Sequence, residues 1–277
     1  MRITDIQGMV RLHNEVEMPY FGLGVFEANE GPEVIQAIHW ALEAGYRHID
    51  TASLYGNEAS VGEAIKTSGL KREEIFVTTK VWNSEQGYKN TLEAFTRSLE
   101  KLDSEYVDLY LVHWPVADRY LDTWEALEEI YERKLTRAIG VSNFNRHHIE
   151  EILKKGSQRP VVNQVEFHPG LSQQSLLKYC QDQHIQLQAW MPILKGRVND
   201  IPLLAKIGEK YGKTAVQVAL RWELQKGVVT IPKSVRRDRI ISNADIFDFE
   251  LSPEDIKKTD SLDKGYRLGA DPDNFDF

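Results

Sequence analysis

Four side chains able to polarise and protonate a carbonyl oxygen fall at or just past the ends of three short apolar runs. Asp50 and Tyr55 follow residues 46–49, Lys80 closes 75–80, and His113 follows 107–112. Loops beyond strand ends are where barrel enzymes keep their chemistry. A positioned general acid contributes about 10²–10⁴-fold, and Tyr55 is the candidate donor. A free phenol has a pKa near 10, so bringing it close to neutrality needs roughly three units, or about 4 kcal/mol of preference for phenolate. Lys80 supplies a shift of that sign, and Asp50 would hold the ammonium in place. His113, as a neutral imidazole, would orient the substrate oxygen, with Phe26, Trp82 and Trp114 as apolar walls. Taken singly such residues more often serve structure; the combination carries the argument.

The elements that must position them are legible in the pattern. From residue 32 onward, short β-branched or apolar runs alternate with segments of helical period, as in successive βαβ units. Strands are expected near 46–50, 75–80, 107–112, 137–142, 161–166, 185–190, 228–231 and 244–247, and eight of them imply closure. The first helix has Pro32 at its first position, a stripe of Ile35, Ile38 and Leu42, and Gly45 to end it. Thr214 caps the segment 215–226, and Ser252-Pro253 opens 254–262. Residues 1–24 break the alternation; His13-Asn14 there reads as the turn of a β-hairpin that plugs the barrel bottom. The last residues, 265–277, have a loop-forming composition and read as a tail over the surface. The expected fold is thus α/β, a single (β/α)8 TIM barrel over 1–277 with an N-terminal hairpin and a short C-terminal tail.

Composition narrows the function classes. A chain of 277 residues with 42% hydrophobic content can build one large α/β core. A formal charge of -8 argues against nucleic acid or an anionic membrane as the main partner. The lone Cys180 cannot form an intramolecular disulfide, and no His/Cys/Asp spacing suggests a metal. The start, Met1-Arg2-Ile3-Thr4-Asp5, lacks a signal-peptide core and no run is long enough for a membrane span, so a cytoplasmic protein is expected.

No G-x-G-x-x-G follows a strand, which removes a Rossmann nucleotide site. Instead Lys233-Ser234-Val235-Arg236-Arg237-Asp238-Arg239 follows the seventh expected strand, and barrels frequently bind phosphate with the loops after strands 7 and 8. Its cations suit a phosphate, and Arg can contact one with both arms of its fork.

Three long segments in order resemble the aldo-keto reductase family over nearly the whole chain. They are GYRHIDTASLYG at 45–56, LEKLDSEYVDLYLVHWP at 99–115, and IPKSVRRDRIISNADIFDF at 231–249. The resemblance implies a catalytic tetrad of Asp50, Tyr55, Lys80 and His113 and NADPH across the C-terminal face of the barrel. It places Lys233, Ser234 and Arg239 at the adenosine 2′-phosphate, with Val235 and Arg236 beside them and Asn243 at the adenine. Ser142, Asn143 and Gln164 would hold the nicotinamide carboxamide, and Trp190 would stack on its ring. Gly24, Val25, Phe26, Asp50, Met191 and Ile193 complete the expected cofactor groove. Phe26, Tyr55, Trp82, His113 and Trp114, with Tyr20-Phe21, would form an aromatic mouth for small carbonyl substrates. Broad use of methylglyoxal, aromatic aldehydes and keto-sugar acids by a monomer is the implied activity.

The chain departs from the family at several points. Met191 replaces a serine whose hydroxyl would meet the pyrophosphate, Ser242 stands where many relatives have Glu, and 133–136 lacks the usual Gly-bearing turn. Two rival readings are a redox-sensing NADPH-binding regulatory subunit and an aldolase using Lys80 as a Schiff-base amine. The second needs a lowered Lys80 pKa, which an Asp50 partner opposes.

Overall fold

A computed structural model describes residues 3–277; Met1 and Arg2, part of the stretch read above for a leader, lie outside the described residues. Two short strands, β1 (Met9–Arg11) and β2 (Glu17–Pro19), pair antiparallel through the turn that holds His13 and Asn14. Eight parallel strands follow: β3 (Leu23–Gly24), β4 (His48–Asp50), β5 (Phe76–Val81), β6 (Val107–Val112), β7 (Thr136–Ser142), β8 (Val162–Glu166), β9 (Gln186–Trp190) and β10 (Val229–Thr230). Bridges from Phe21 to Thr230 and from Gly24 to Lys233 join the first of these to the last and close the barrel. The hairpin covers the N-terminal ends of the strands, where Asn14 Nδ2 donates to Arg137 O at 3.1 Å and His13 Nε2 lies 3.4 Å from Pro160 O.

The eighth strand is not where the sequence pattern placed it. Residues 244–247 instead end a helix and turn into a buried Ile246, and the missing strand is β3, inside the segment that broke the alternation. A two-residue strand has no room to display a period of two. What marks it is bare backbone: a Cβ on Gly22 would sit 2.8 Å from His48 Cγ, and one on Gly24 would sit 3.0 Å from Ile231 O.

The helical layer comprises α1 (Pro32–Glu43), α2 (Glu58–Thr67), α3 (Tyr88–Leu102), α4 (Tyr120–Glu132), α5 (Arg146–Lys155), α6 (Gln174–Asp182), α7 (Pro202–Glu209), α8 (Ala215–Gln225), α9 (Arg237–Ala244) and α10 (Pro253–Asp260). Pro32 opens α1, and Gly45 takes φ +98° after its end. Thr214 Oγ1 accepts from Gln217 N at 3.2 Å, and Ser252 Oγ accepts from Asp255 N at 3.2 Å, so both expected caps form. Among the described residues no helix is long and apolar enough to cross a membrane.

Two aromatics assigned to the mouth are misplaced by the sequence reading. Tyr20 and Phe21 are buried where the first strand meets the last, and both rings pack near Phe247. Tyr20 Oη accepts from the backbone N–H of Thr4 at 3.0 Å and of Asp5 at 3.1 Å, and donates to Asp5 O at 2.5 Å. They anchor the N-terminal segment to the core and take no part in the opening.

Candidate active site

Asp50 closes β4, Lys80 sits near the end of β5, and His113 follows β6, so three parallel neighbours deliver their side chains to one end of the barrel. Tyr55 arrives on a single helical turn, Ser53–Tyr55, that Gly56 ends at φ +67°. That turn is held by Asn57, whose amide donates to Val25 O at 3.0 Å and Ala28 O at 3.1 Å while its oxygen accepts from Thr51 Oγ1 at 2.8 Å. Ser53 adds a second tether, donating to Glu85 at 2.9 Å and accepting from Trp82 N at 3.2 Å. The 25–28 loop and the 51–57 loop are therefore tied together through Asn57.

The structure brings Asp50, Tyr55, Lys80 and His113 together. Lys80 Nζ donates to Asp50 Oδ1 at 2.6 Å, to Thr51 O at 2.8 Å and to Tyr55 Oη at 3.3 Å, and its side chain is 0% exposed. Asp50 Oδ2 accepts from Gln164 Nε2 at 2.7 Å, so both carboxylate oxygens are committed. Burial works to lower the Lys80 pKa, but Asp50 and the phenol beside it outweigh that and hold the ammonium above its ordinary value. An amine so charged is no Schiff-base nucleophile. Burial also presses the His113 imidazole well below its usual value, with the Lys80 charge acting in the same direction, so it is neutral.

Tyr55 departs from the sequence expectation. Burial raises its pKa by more than the Lys80 charge and hydrogen bond lower it, and Asp50 adds to the rise. Burial is the main cause, and Asp50 offsets part of the field that Lys80 exerts on the phenol. The free protein therefore keeps the Tyr55 proton in place.

Around this centre lie the walls. Phe26, 45% exposed, packs on Tyr55 with ring centroids 4.9 Å apart, and Trp82 sets its edge against His113 at 5.0 Å. Phe277 stacks parallel to Trp82 at 5.8 Å, and Phe275 and Phe277 both meet Trp114 at 5.2 Å. These tail aromatics were missed in the sequence, where the only signal is a pair of Phe in an acidic, Pro-bearing stretch. The buried Glu166 anchors the tail, its oxygens accepting from Leu268 N at 2.6 Å and Gly269 N at 3.0 Å.

Most of the residues expected to hold NADPH lie at or beyond the C-terminal ends of β3, β4, β7, β9 and β10, with Gln164 inside β8. Asn143 donates to His113 O at 3.0 Å and accepts from Trp190 Nε1 at 2.8 Å, while Ser142 Oγ donates to Gln164 O at 2.9 Å. Val25 is buried beside Asp50, its N–H donating to Asp50 O at 3.1 Å. Met191 and Ile193 are half-buried after β9, Met191 at φ +57°. Lys195 Nζ meets Glu27 Oε1 at 3.0 Å, linking that loop to the one after β3. At the far end α9 starts from Arg236, whose side chain does not cap it, while the Asp238 carboxylate in the first turn accepts from the Arg239 backbone N–H, and Lys233 Nζ donates to Glu27 O at 3.0 Å. Arg236 is held by Asp238 at 2.9 Å, whereas among the described residues no carboxylate pairs with Arg239. Asn243 is buried on α9 and Val235 half-buried before it. An Arg without a carboxylate partner beside Lys233 and Ser234 suits a phosphate, and the amides of Asn143 and Gln164 near the Asp50–Lys80 pair suit a carboxamide; the residues fit NADPH.

His147, His148 and Asp273 also converge, His147 Nε2 lying 3.2 Å from Asp273 Oδ1. His148 Nδ1 accepts from Asn145 N at 3.1 Å, which leaves the ring proton on Nε2 and makes that nitrogen a poor metal ligand. Cys180 is sealed in the core, its thiol pushed up to about 12 by burial, so it is unreactive.

A closed parallel barrel with a buried Asp–Lys pair under a phenol and a neutral imidazole defines a carbonyl-reducing oxidoreductase. The profile of the Aldo/keto reductase family matches residues 20–264, and the chain belongs to that family. It is similar to the glyoxal reductase of Bacillus subtilis, 56% identical over 274 residues covering 99% of each chain. It is also similar to methylglyoxal reductase DkgA of Escherichia coli, 43% identical over 96% of this chain and 98% of that one. Among solved structures, a variant of Gox0644 in complex with NADPH superposes with a TM-score of 0.93 at 40% identity, covering 98% of this chain and 99% of that one. The protein is an NADPH-dependent oxidoreductase.

Proposed function

We propose that this chain reduces small aldehydes and ketones to alcohols, with Tyr55 as the proton donor, over a broad range that includes methylglyoxal, aromatic aldehydes and keto-sugar acids. The observation that carries the reading is the three-way contact of Lys80 with Asp50, Thr51 O and Tyr55 Oη. Bound NADPH supplies the hydride. Tyr55 Oη holds its proton at rest and gives it to the carbonyl oxygen as the carbon is reduced, leaving a phenolate 3.3 Å from the Lys80 ammonium. Lys80 stabilises that phenolate, and Asp50 keeps Lys80 oriented and charged. His113 stays neutral and steers the carbonyl oxygen toward Tyr55 by hydrogen bonding. Lys233, Ser234 and Arg239 would take the 2′-phosphate, while Ser142, Asn143, Gln164 and Trp190 would seat the nicotinamide. Trp82, Trp114 and Phe26 accept an apolar or aromatic substituent, and the glyoxal and methylglyoxal reductase relatives support small dicarbonyls as substrates. A single barrel acting as a monomer in the cytoplasm completes the reading. Loss of NADPH absorbance on addition of methylglyoxal or an aromatic aldehyde tests it, and binding of NADPH with no turnover on any of a panel of carbonyls would favour the regulatory role instead.

A further inference from the structure

Both amide hydrogens of Gln164 are spoken for. One goes to Asp50 Oδ2 at 2.7 Å, the other to Gln188 Oε1 at 3.2 Å. Asp50 is a carboxylate and accepts only, so it dictates which end of the Gln164 amide faces inward, and the second N–H of Gln164 dictates in turn that Gln188 presents its oxygen. Among the described residues no protein donor reaches Gln164 Oε1.

Gln188 accepts this arrangement at a cost. It is 0% exposed in the barrel interior, and its own Nε2 has no partner. A buried unpaired donor is destabilising, and an apolar side chain of the same length would avoid the penalty. The paired end must therefore account for an amide at this position. β8 and β9 place the two glutamines in direct register, so the contact is built into the sheet.

We infer that Gln188 is a positioning residue: Asp50 selects which end of the Gln164 amide is nitrogen, and Gln188, by accepting the second amide hydrogen, fixes its rotation about that contact, so that Oε1 is held as an acceptor for the primary-amide hydrogen of nicotinamide. The inference rests on the reading of Gln164 as a carboxamide ligand.

The test compares affinity for NADPH with that for reduced 3-acetylpyridine adenine dinucleotide phosphate, in which a methyl ketone replaces the amide and no N–H remains to donate. Dissociation constants come from quenching of protein fluorescence, with no turnover required. Wild type should bind NADPH about tenfold more tightly than the analogue, the size expected for one hydrogen bond. Gln188→Met and Gln188→Leu should lose most of that preference without a lower melting temperature, since the unpaired donor goes with the side chain. Gln188→Glu, which still offers an acceptor oxygen, should keep it. If wild type shows no preference, the reading of Gln164 fails. If wild type discriminates and whichever apolar variant folds discriminates equally, the Gln188 inference is overturned while the Gln164 reading stands.

Discussion

The Lys80 ammonium lies 2.6 Å from Asp50 Oδ1, with both side chains withdrawn from solvent. Breaking such a pair from one side leaves an uncompensated buried charge, which costs about 3–5 kcal/mol. Asp50→Asn should accordingly lower unfolding stability by that order in urea denaturation at pH 7, and should also lower the Lys80 pKa because the main group raising it is gone. A variant as stable as wild type would mean the pair is solvated in solution.

Two titrations set the pH behaviour. Tyr55 is raised above its ordinary value of 10, so the proton needed for reduction stays on the enzyme through neutral and moderately alkaline pH. His113 is lowered well below 6.5, so its imidazole remains neutral as pH falls through 6.5. The kcat/KM for aldehyde reduction should therefore show no inflection near 6.5 and no decline before about pH 10, whereas that for alcohol oxidation, which needs phenolate, should still be climbing there. For stability the sign is separate: His48, lowered to about 4 by burial, contributes fully above 6.5, and that contribution is lost as pH falls from 6.5 toward 4. Urea midpoints across pH 4 to 8 check the second point.

Arg239 is exposed in the first turn of α9, and among the described residues its side chain has no carboxylate partner. Arg239→Ala should weaken NADPH binding by at least tenfold and NADH binding by less than twofold, since only the former carries a 2′-phosphate. Equal losses in a fluorescence titration with both cofactors would remove Arg239 from that role.

The tail aromatics give a further outcome. Phe277 stacks on Trp82 and donates nothing polar through its ring, so Phe277→Ala and Phe275→Ala remove apolar wall only. The KM for an aromatic aldehyde should rise several-fold with kcat little changed, while that for methylglyoxal, too small to reach the tail, should hold. Parallel changes in both substrates would show that the tail shapes the catalytic centre itself.

How much of this was readable beforehand depends on range. Seven of the eight barrel strands lie where hydrophobic runs placed them, because each run spans four residues or more in the sequence even where, as in β10, only two of them form the strand. β3 was hidden, since two residues carry no pattern and its glycines matter only through contacts with His48 and Ile231. The tetrad residues could be picked out because strand ends locate them in the chain. The direction of the Tyr55 shift could not: it depends on how completely the phenol is desolvated and on Asp50 offsetting Lys80, and neither is a property of spacing. Likewise Tyr20 and Phe21 look like pocket aromatics in a linear reading, yet the closing seam of the barrel takes them. Asn57 and Gln188 had no motif to mark them, and their parts emerge only from who donates to whom.

The central claim is that Tyr55 donates the proton, and Tyr55→Phe tests it with least ambiguity because the phenyl ring keeps the packing on Phe26 while removing only Oη. Single-turnover reduction of an aromatic aldehyde, followed by NADPH absorbance at saturating cofactor, is the measurement. The rate should fall at least about a hundredfold with NADPH affinity unchanged within twofold. A rate near that of wild type would contradict the account and move the donor to His113 or to solvent.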